Sequence, residues 1–168
     1  MNFNNMAGIY LFYNNKILMM KRKKKDFNGE GKYFSIGGKF ENDELNNPKK
    51  CILRELEEET GIKEKDLNNL QLKYVIFRNY DGVIVQNHFF FADLVNEVDL
   101  KECIEGTFEW VPIEDIFNKP LPISSKVCLE HYFKKGKNSS SVIIAASTNK
   151  NGYGEYHFTE LLQFDSIK

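Results

Sequence analysis

The sequence predicts an α/β fold: one domain with a mixed β-sheet and two main helices. Three observations carry that expectation. Short runs of alternating aliphatic and aromatic residues recur along the chain and are joined by Asn, Asp and Gly turn signals, the mark of paired strands. Two longer stretches, one opening at Pro48 and one at Leu121, have helical composition and end at a glycine. Finally, 168 residues that are 42% hydrophobic and 14% aromatic are enough for one domain with a real core.

Taken in order, Ala7 to Tyr13 (AGIYLFY) and Lys16 to Met20 (KILMM) flank Asn14-Asn15, a two-residue hairpin turn between strands. Lys21 to Lys25 are all basic and lead into the Gly-containing loop FNGEGK. Such a run is ordinarily a solvated face. Arg22 differs from the lysines because it ends a strand and its guanidinium suits bidentate phosphate binding. Tyr33 to Ile36 is a short strand feeding Gly37-Gly38, whose backbone freedom can bring a carbonyl close to a ligand. The helix from Pro48 has an Asn46/Asn47 cap, an interior rich in Leu, Glu, Lys and Arg, and a stop at Gly61. Leu70 to Arg78 and Val83 to Leu94 pair around Asn79-Tyr80-Asp81-Gly82 as central strands. Thr107 to Val111 (TFEWV) re-enters the fold after an acidic stretch, and Pro112 begins a short helix, PIEDIF. Leu121 to Lys135 is the second long helix, stopped by Gly136. Val142 to Ser147 and Tyr153 to Leu162 form a last hairpin across Asn149 to Gly152. No internal repeat, low-complexity linker or domain boundary interrupts residues 1–168.

A net charge of −1 gives no global attraction to a nucleic-acid polymer or a membrane surface, so phosphate binding would have to be local. Cys51, Cys103 and Cys128 are odd in number and include no CxxC pair. Neither a disulfide framework nor a thiolate metal site is indicated, and reduced thiols of a cytoplasmic protein are expected. The N-terminus lacks a basic segment followed by an apolar run, and no later run approaches the ~20 apolar residues of a membrane span. His88, His131 and His157 lie far apart in strand or helix patterns and read as packed or surface residues.

The helix after Pro48 carries the chemistry. At about 100° per residue, Glu55, Glu58 and Glu59 fall on one narrow arc, while Ile52, Leu53, Leu56 and Thr60 form a separate, mostly apolar one. Like charges about 4 Å apart cost up to ~4 kcal/mol per pair at an effective dielectric of about 20. Arg54, at the edge of the trio, is the one nearby cation in the sequence. A hard divalent ion with oxygen preference, Mg²⁺ or Mn²⁺, is the natural counter-charge; taken alone, the same three residues also suit a solvated acidic face.

The surroundings of that trio favour the metal. Gly38, then KFEND, then Glu44, followed later by Arg54-Glu55-Leu56-Glu57-Glu58-Glu59-Thr60-Gly61-Ile62, resemble the Nudix box over residues 38–62. That pattern is Gly, five residues, Glu, seven residues, and then Arg-Glu-U-x-Glu-Glu-x-Gly-U, with U aliphatic. Here nine residues, LNNPKKCIL, stand where the pattern has seven. The extra two belong around Asn46 and Asn47, because an insertion within the helix would rotate the carboxylates off their arc.

The resemblance implies an α/β/α sandwich with a mixed β-sheet, and hydrolysis of a diphosphate linked to another moiety. On this basis Glu55, Glu58 and Glu59 are metal ligands, with the Gly38 carbonyl a fourth. Glu44 and Arg54 form an ion pair that shapes the site, Lys39 beside the metal loop contacts phosphate, and Glu57 points away. Two residues are candidates for the base that activates water: Glu55 itself, and Glu105 in CIEGTFEW, which resembles a loop Glu of MutT-like Nudix enzymes. EGTFEWVP, a short helix, NKP, an amphipathic helix and a closing hairpin resemble the MutT-like branch of 8-oxo-dGTP diphosphatases. The implied substrate is a purine nucleoside triphosphate, and 8-oxo-dGTP in particular. Where relatives use an Asn or Asp pair on the base, this chain has Ser124 and Ser125 in PLPISSK, which hydrogen-bond but discriminate less sharply. The same box also serves ADP-ribose, nucleotide sugars, dinucleoside polyphosphates and pyrimidine triphosphates, and non-catalytic nucleotide sensors share the fold. The expected partner is a small-molecule nucleotide, for a monomer or homodimer.

Overall fold

Strands that are apolar on both faces must be covered on both. In β1 (Asn2–Tyr13), Ile9 and Leu11 project to one side and Tyr10 to the other, all fully buried. β2 (Lys16–Arg22) repeats the pattern, with Leu18 opposed to Ile17 and Met19. β5 (Val83–Leu94) does the same with Phe90 and Ala92 against Phe89 and Phe91. The computed structural model, which describes residues 2–23, 30–147 and 155–162, is accordingly three-layered. Helix α1 (Pro48–Thr60) sets Cys51, Ile52 and Leu56 into one core, and α2 (Ile123–Lys134) sets Cys128 and Leu129 into the other. This is the α/β/α sandwich.

The sheet also includes β3 (Tyr33–Phe34), β4 (Leu67–Tyr80), β6 (Gly106–Pro112), β7 (Val142–Ser147) and β8 (Tyr156–Leu161). Its order is β3-β2-β1-β5-β4-β7-β8, with β6 on β2. β1 runs parallel to β5, and β4 parallel to β7; the other named pairings are antiparallel, so the sheet is mixed. Asn14 (φ 47°) and Asn15 (φ 61°) turn β1 into β2, and Asp81 (φ 48°) with Gly82 (φ 80°) turns β4 into β5. Left-handed pairs of this kind match the twist of the strands they join. No helix among the described residues is long and apolar enough to cross a membrane.

Several elements differ from the sequence expectation. β1 begins at Asn2 rather than Ala7, because Asn2 to Met6 pair edge-on with Val83 to Asn87 of β5 and need no apolar side chains to do so. β4 begins at Leu67 rather than Leu70; its register shifts between Asn68 and Gln71 and between Leu72 and Tyr74, the first taking up the left-handed Asn69 (φ 55°). PIEDIF is the core of a 3₁₀ helix, Ile113–Asn118. Gly136 follows the C-cap of α2, Lys135, and opens a 3₁₀ turn, Gly136–Asn138. The expected turn at Asn149 to Gly152, with Tyr153 at the start of its strand, lies outside the described residues, as do Lys24, Lys25 and the Phe27 to Gly29 part of the basic loop.

The glycine at 136 answers to packing. A Cβ there would overlap the hydroxyl of Tyr74, which is fully buried and hydrogen-bonded to His131 Nδ1 at 3.0 Å. Gly136→Ala is expected to cost about 1–3 kcal/mol in chemical denaturation, as overpacking does elsewhere. The same substitution made in a Tyr74→Phe background should cost clearly less, and equal costs in the two backgrounds would refute the steric account.

Candidate active site

The site depends first on how α1 is phased. Asn47 Oδ1 accepts the Lys50 N–H (3.1 Å), Pro48 occupies the first turn, and Gly61 (φ 82°) ends the helix by donating its N–H to Glu57 O. Thr60 Oγ1, buried, donates to Leu56 O at 2.6 Å. With Ile52, Leu56 and Thr60 held in the core, the acidic arc emerges along the opposite margin.

After β3 the chain crosses from β2 onto β1, where Ala7 N–H donates to Gly38 O (3.0 Å) and Ile9 N–H to Ile36 O (2.8 Å). Gly37 (φ 140°) lies against the Ala7 carbonyl, and a Cβ on Gly38 would enter the carboxylate of Glu55. The paired glycines therefore let the acidic side chains of α1 reach the sheet backbone. Glu59 Oε2 accepts the Gly37 N–H at 3.2 Å.

Arg54 ties the loop to the helix. Its Nε and Nη2 donate to Glu44 Oε1 (2.7 Å) and Oε2 (3.0 Å), while Nη1 donates to Glu55 Oε1 (2.9 Å) and Glu58 Oε2 (3.1 Å). Nη2 also donates to the Lys39 carbonyl at 3.1 Å. Glu44 is fully buried and accepts the Glu41 N–H as well (2.8 Å). The Arg54 hydrogen bonds hold the Glu44 carboxyl down at about 2, against the opposing effect of burial. Burial raises Glu55 despite Arg54, and lifts Glu59 to about 7, with repulsion from Glu55, Glu105 and Glu58 adding to the rise.

Glu59 thus lies near a second acidic group, Glu105, which lines a cleft. Arg22, Gly37, Glu105, Ser124 and Ser125 all line it. Lys39 is different: its side chain is exposed and its carbonyl is taken by Arg54. Glu57 points away from the arc and pairs with Lys63 (3.1 Å).

Among the described residues, no three His, Cys, Asp or Glu side chains converge tightly enough to hold an ion. Arg54 draws Glu55 and Glu58 to itself, and the Gly37 N–H draws Glu59. The donor set still fits a hard divalent cation. Its groups are carboxylates on one arc beside a backbone carbonyl, and a cation would offset both the burial that lifts Glu59 and the repulsion from its neighbours that adds to it. The Gly38 carbonyl, bound to Ala7 N–H, keeps its second lone pair for such a role.

A family model described as NUDIX domain matches residues 3–132. The chain belongs to the NUDIX family. Hydrolases of that family generally use divalent metal ions. The fold is similar to the crystal structure of the MutT protein from Bacillus halodurans, with a TM-score of 0.67 at 20% identity, covering 92% of this chain and 97% of that one. It is similar to the MutT protein from Methanosarcina mazei Go1 at 0.67 and 22% identity, covering 82% and 97%. The NUDIX domain of Shewanella oneidensis NrtR, crystallised with ADP-ribose, scores 0.61 at 15% identity, covering 80% and 87%.

The NUDIX cleft has further lining residues that sequence reasoning missed, Arg78 and Asn87 among them. A signal was present. Arg78 follows Tyr74 and Ile76 at two-residue spacing in an apolar strand, and so shares their inward face. Asn87 stands in the same relation to Phe89 and Phe91.

A buried carboxylate stripped of its cation is costly, so Arg54→Ala should destabilise the protein by about 3 kcal/mol at neutral pH. Because Glu44 is held near 2 when folded, against an ordinary 4.5, its stabilisation is complete above about pH 4.5 and is lost as pH falls toward 2. Denaturation curves across that window should show this acid-limb slope in the wild type and lose it in Arg54→Ala.

Proposed function

We propose that this chain is a metal-dependent pyrophosphohydrolase that cleaves a nucleoside triphosphate to the monophosphate and pyrophosphate. The observation that carries the reading is the acidic arc of α1 bonded through Glu59 to Gly37, a residue of the cleft that also holds Arg22 and Glu105. Glu55, Glu58 and Glu59, with the Gly38 carbonyl, are the proposed ligands of Mg²⁺ or Mn²⁺. When bound, the ion supplies Lewis-acid neutralisation of the charge that builds on phosphate oxygens. Arg22 binds a non-bridging phosphate oxygen through its guanidinium, and Lys39 reaches the phosphates from the rim. Glu44 and Arg54 hold the loop and helix in register and touch no substrate. Glu105 takes the proton of the attacking water at its carboxylate; its place in the cleft supports this over Glu55, which Arg54 already engages.

For the base, the reading extends to a purine, with 8-oxo-dGTP as the sanitised substrate and Ser124 and Ser125 as hydrogen-bonding contacts. Both serines are buried in the wall of the cleft, which supports that role. A second reading, hydrolysis or sensing of ADP-ribose, is favoured by likeness to the NrtR domain bound to that ligand. The three free cysteines suit a cytoplasmic setting.

The test, with Mg²⁺ and Mn²⁺, is pyrophosphate release from a panel of nucleoside triphosphates and release of AMP and ribose 5-phosphate from ADP-ribose. Glu58→Gln and Glu59→Gln are each expected to lower turnover at least about 100-fold while circular dichroism stays unchanged. Near-normal activity in both would remove the ligand assignment, and activity that survives EDTA would remove the metal. A kcat/KM for 8-oxo-dGTP no higher than that for dGTP would remove the sanitising role and leave the hydrolase standing.

A further inference from the structure

Arg78 is a cation set in a run of buried residues, and its surroundings do not neutralise it. Tyr74 and Ile76, four and two positions before it, are fully buried on the same face of β4. Asn87 Oδ1, on the neighbouring strand β5, accepts from Arg78 Nη2 at 2.8 Å and fixes the plane of the guanidinium. Asn87 is itself 8% exposed, so this support is rigid. The Nε of Arg78 is shielded from water and has no hydrogen-bond partner among the described residues. Burial lowers its pKa; Tyr156 works against that effect, and no carboxylate among the described residues does. A buried donor without a partner is costly, which makes the group a candidate for an acceptor supplied by a ligand.

Arg78 and Asn87 line the same cleft as Gly37 and Glu105, but from its far end. The Gly38 carbonyl bonds β1, β1 pairs with β5, and β5 with β4, so three strand spacings intervene. At about 4.8 Å each, they put the backbone of Arg78 roughly 14 Å across the sheet from the glycine turn, while its guanidinium, bonded to Asn87 on β5, reaches back to about 10 Å. That is the scale of a nucleotide from its outer phosphates to the distal edge of its base. Phe89, on β5 between the two ends, and Phe34, on β3 beyond β2 with Arg22 over its ring, give the cleft an aromatic lining for a base. A guanidinium has donors only. It can satisfy the exocyclic carbonyl of a 6-oxopurine, whereas the 6-amino group of adenine meets it donor to donor.

We propose that Arg78, held by Asn87, is the specificity-determining residue of the cleft and selects 6-oxopurine nucleotides over 6-aminopurine ones. The inference rests on reading the cleft as a nucleotide site, and it does not require hydrolysis. Its cleanest probes are dIMP and dAMP, which differ at the 6 position and the adjoining ring proton.

The experiment is NMR titration of both monophosphates in EDTA into the wild type, Arg78→Met and Arg78→Lys, with inorganic phosphate as a third ligand. The wild type should bind dIMP at least about tenfold more tightly than dAMP. Arg78→Met should bind the two within about twofold of each other, by loss on the dIMP side alone. Arg78→Lys, which keeps the charge but not the fork, should fall between. Equal binding by the wild type, or an unchanged ratio in either variant, overturns the proposal. So does a variant that loses dIMP, dAMP and phosphate alike, since that marks an anion site. If Arg78→Met fails to fold by circular dichroism, Arg78→Lys decides the matter by the same ratio. Turnover of dITP and dATP with Mg²⁺ separates the two claims. Selective binding without turnover sinks the hydrolase reading alone, and turnover without selectivity sinks this one alone.

Discussion

A carboxylate with no exposure to water must have its charge answered by the protein, and Glu44 is such a group. Arg54 answers it with two parallel hydrogen bonds, and the rest of the site follows from that obligation. Because the guanidinium is anchored on Glu44, its remaining edge lies where Glu55 and Glu58 can reach it. Because it also holds the Lys39 carbonyl, the glycine turn cannot drift from the helix. One side chain thereby sets the distance between a loop and a helix that are joined only through a short 3₁₀ turn, Asn42–Glu44, and the cap at Asn47.

The second constraint is steric. Two glycines in succession let the backbone at positions 37 and 38 pass between β1 and the side chains of α1. The result is a carboxylate, Glu59, bonded to a main-chain N–H and raised toward neutrality by burial and by its neighbours. Across the sheet, the guanidinium of Arg78 is likewise disfavoured by burial. The cleft therefore has strained charge at both ends: negative beside the glycine turn, positive on β4. Groups of this kind are where a folded chain forgoes stability, and ligand binding is the usual reason.

Much of this arrangement was legible in the sequence because it is local. The spacing of Glu55, Glu58 and Glu59 on a helix, the proline and asparagine at its start and the glycine at its end depend on nearest neighbours alone. The hairpin turns at Asn14-Asn15 and Asp81-Gly82 were readable for the same reason. What was not legible depends on pairing between distant segments. Asn2 to Asn5 lack the apolar alternation of a strand, and only the pairing with β5 makes them part of β1. Gly136 looks like a helix stop until Tyr74 is seen to fill the space its side chain would need. Arg78 and Asn87 look like incidental polar residues in strands until the parallel pairing of β1 with β5 brings them to the same cleft as Glu105.

That parallel pairing has a temporal side as well. Each of its partners, from Asn2↔Val83 to Phe12↔Asp93, is separated by 81 residues along the chain (83 − 2 and 93 − 12). Closing such a span carries a large loop entropy before any contact rewards it, which slows folding relative to local helical topologies. As the chain emerges from the ribosome, the N-terminal strand, although made first, must wait with one edge unpaired for a partner synthesised about half a domain later. The hairpin with β2 is available early and can shelter part of it, so the order of synthesis and the order of assembly differ at the centre of the sheet.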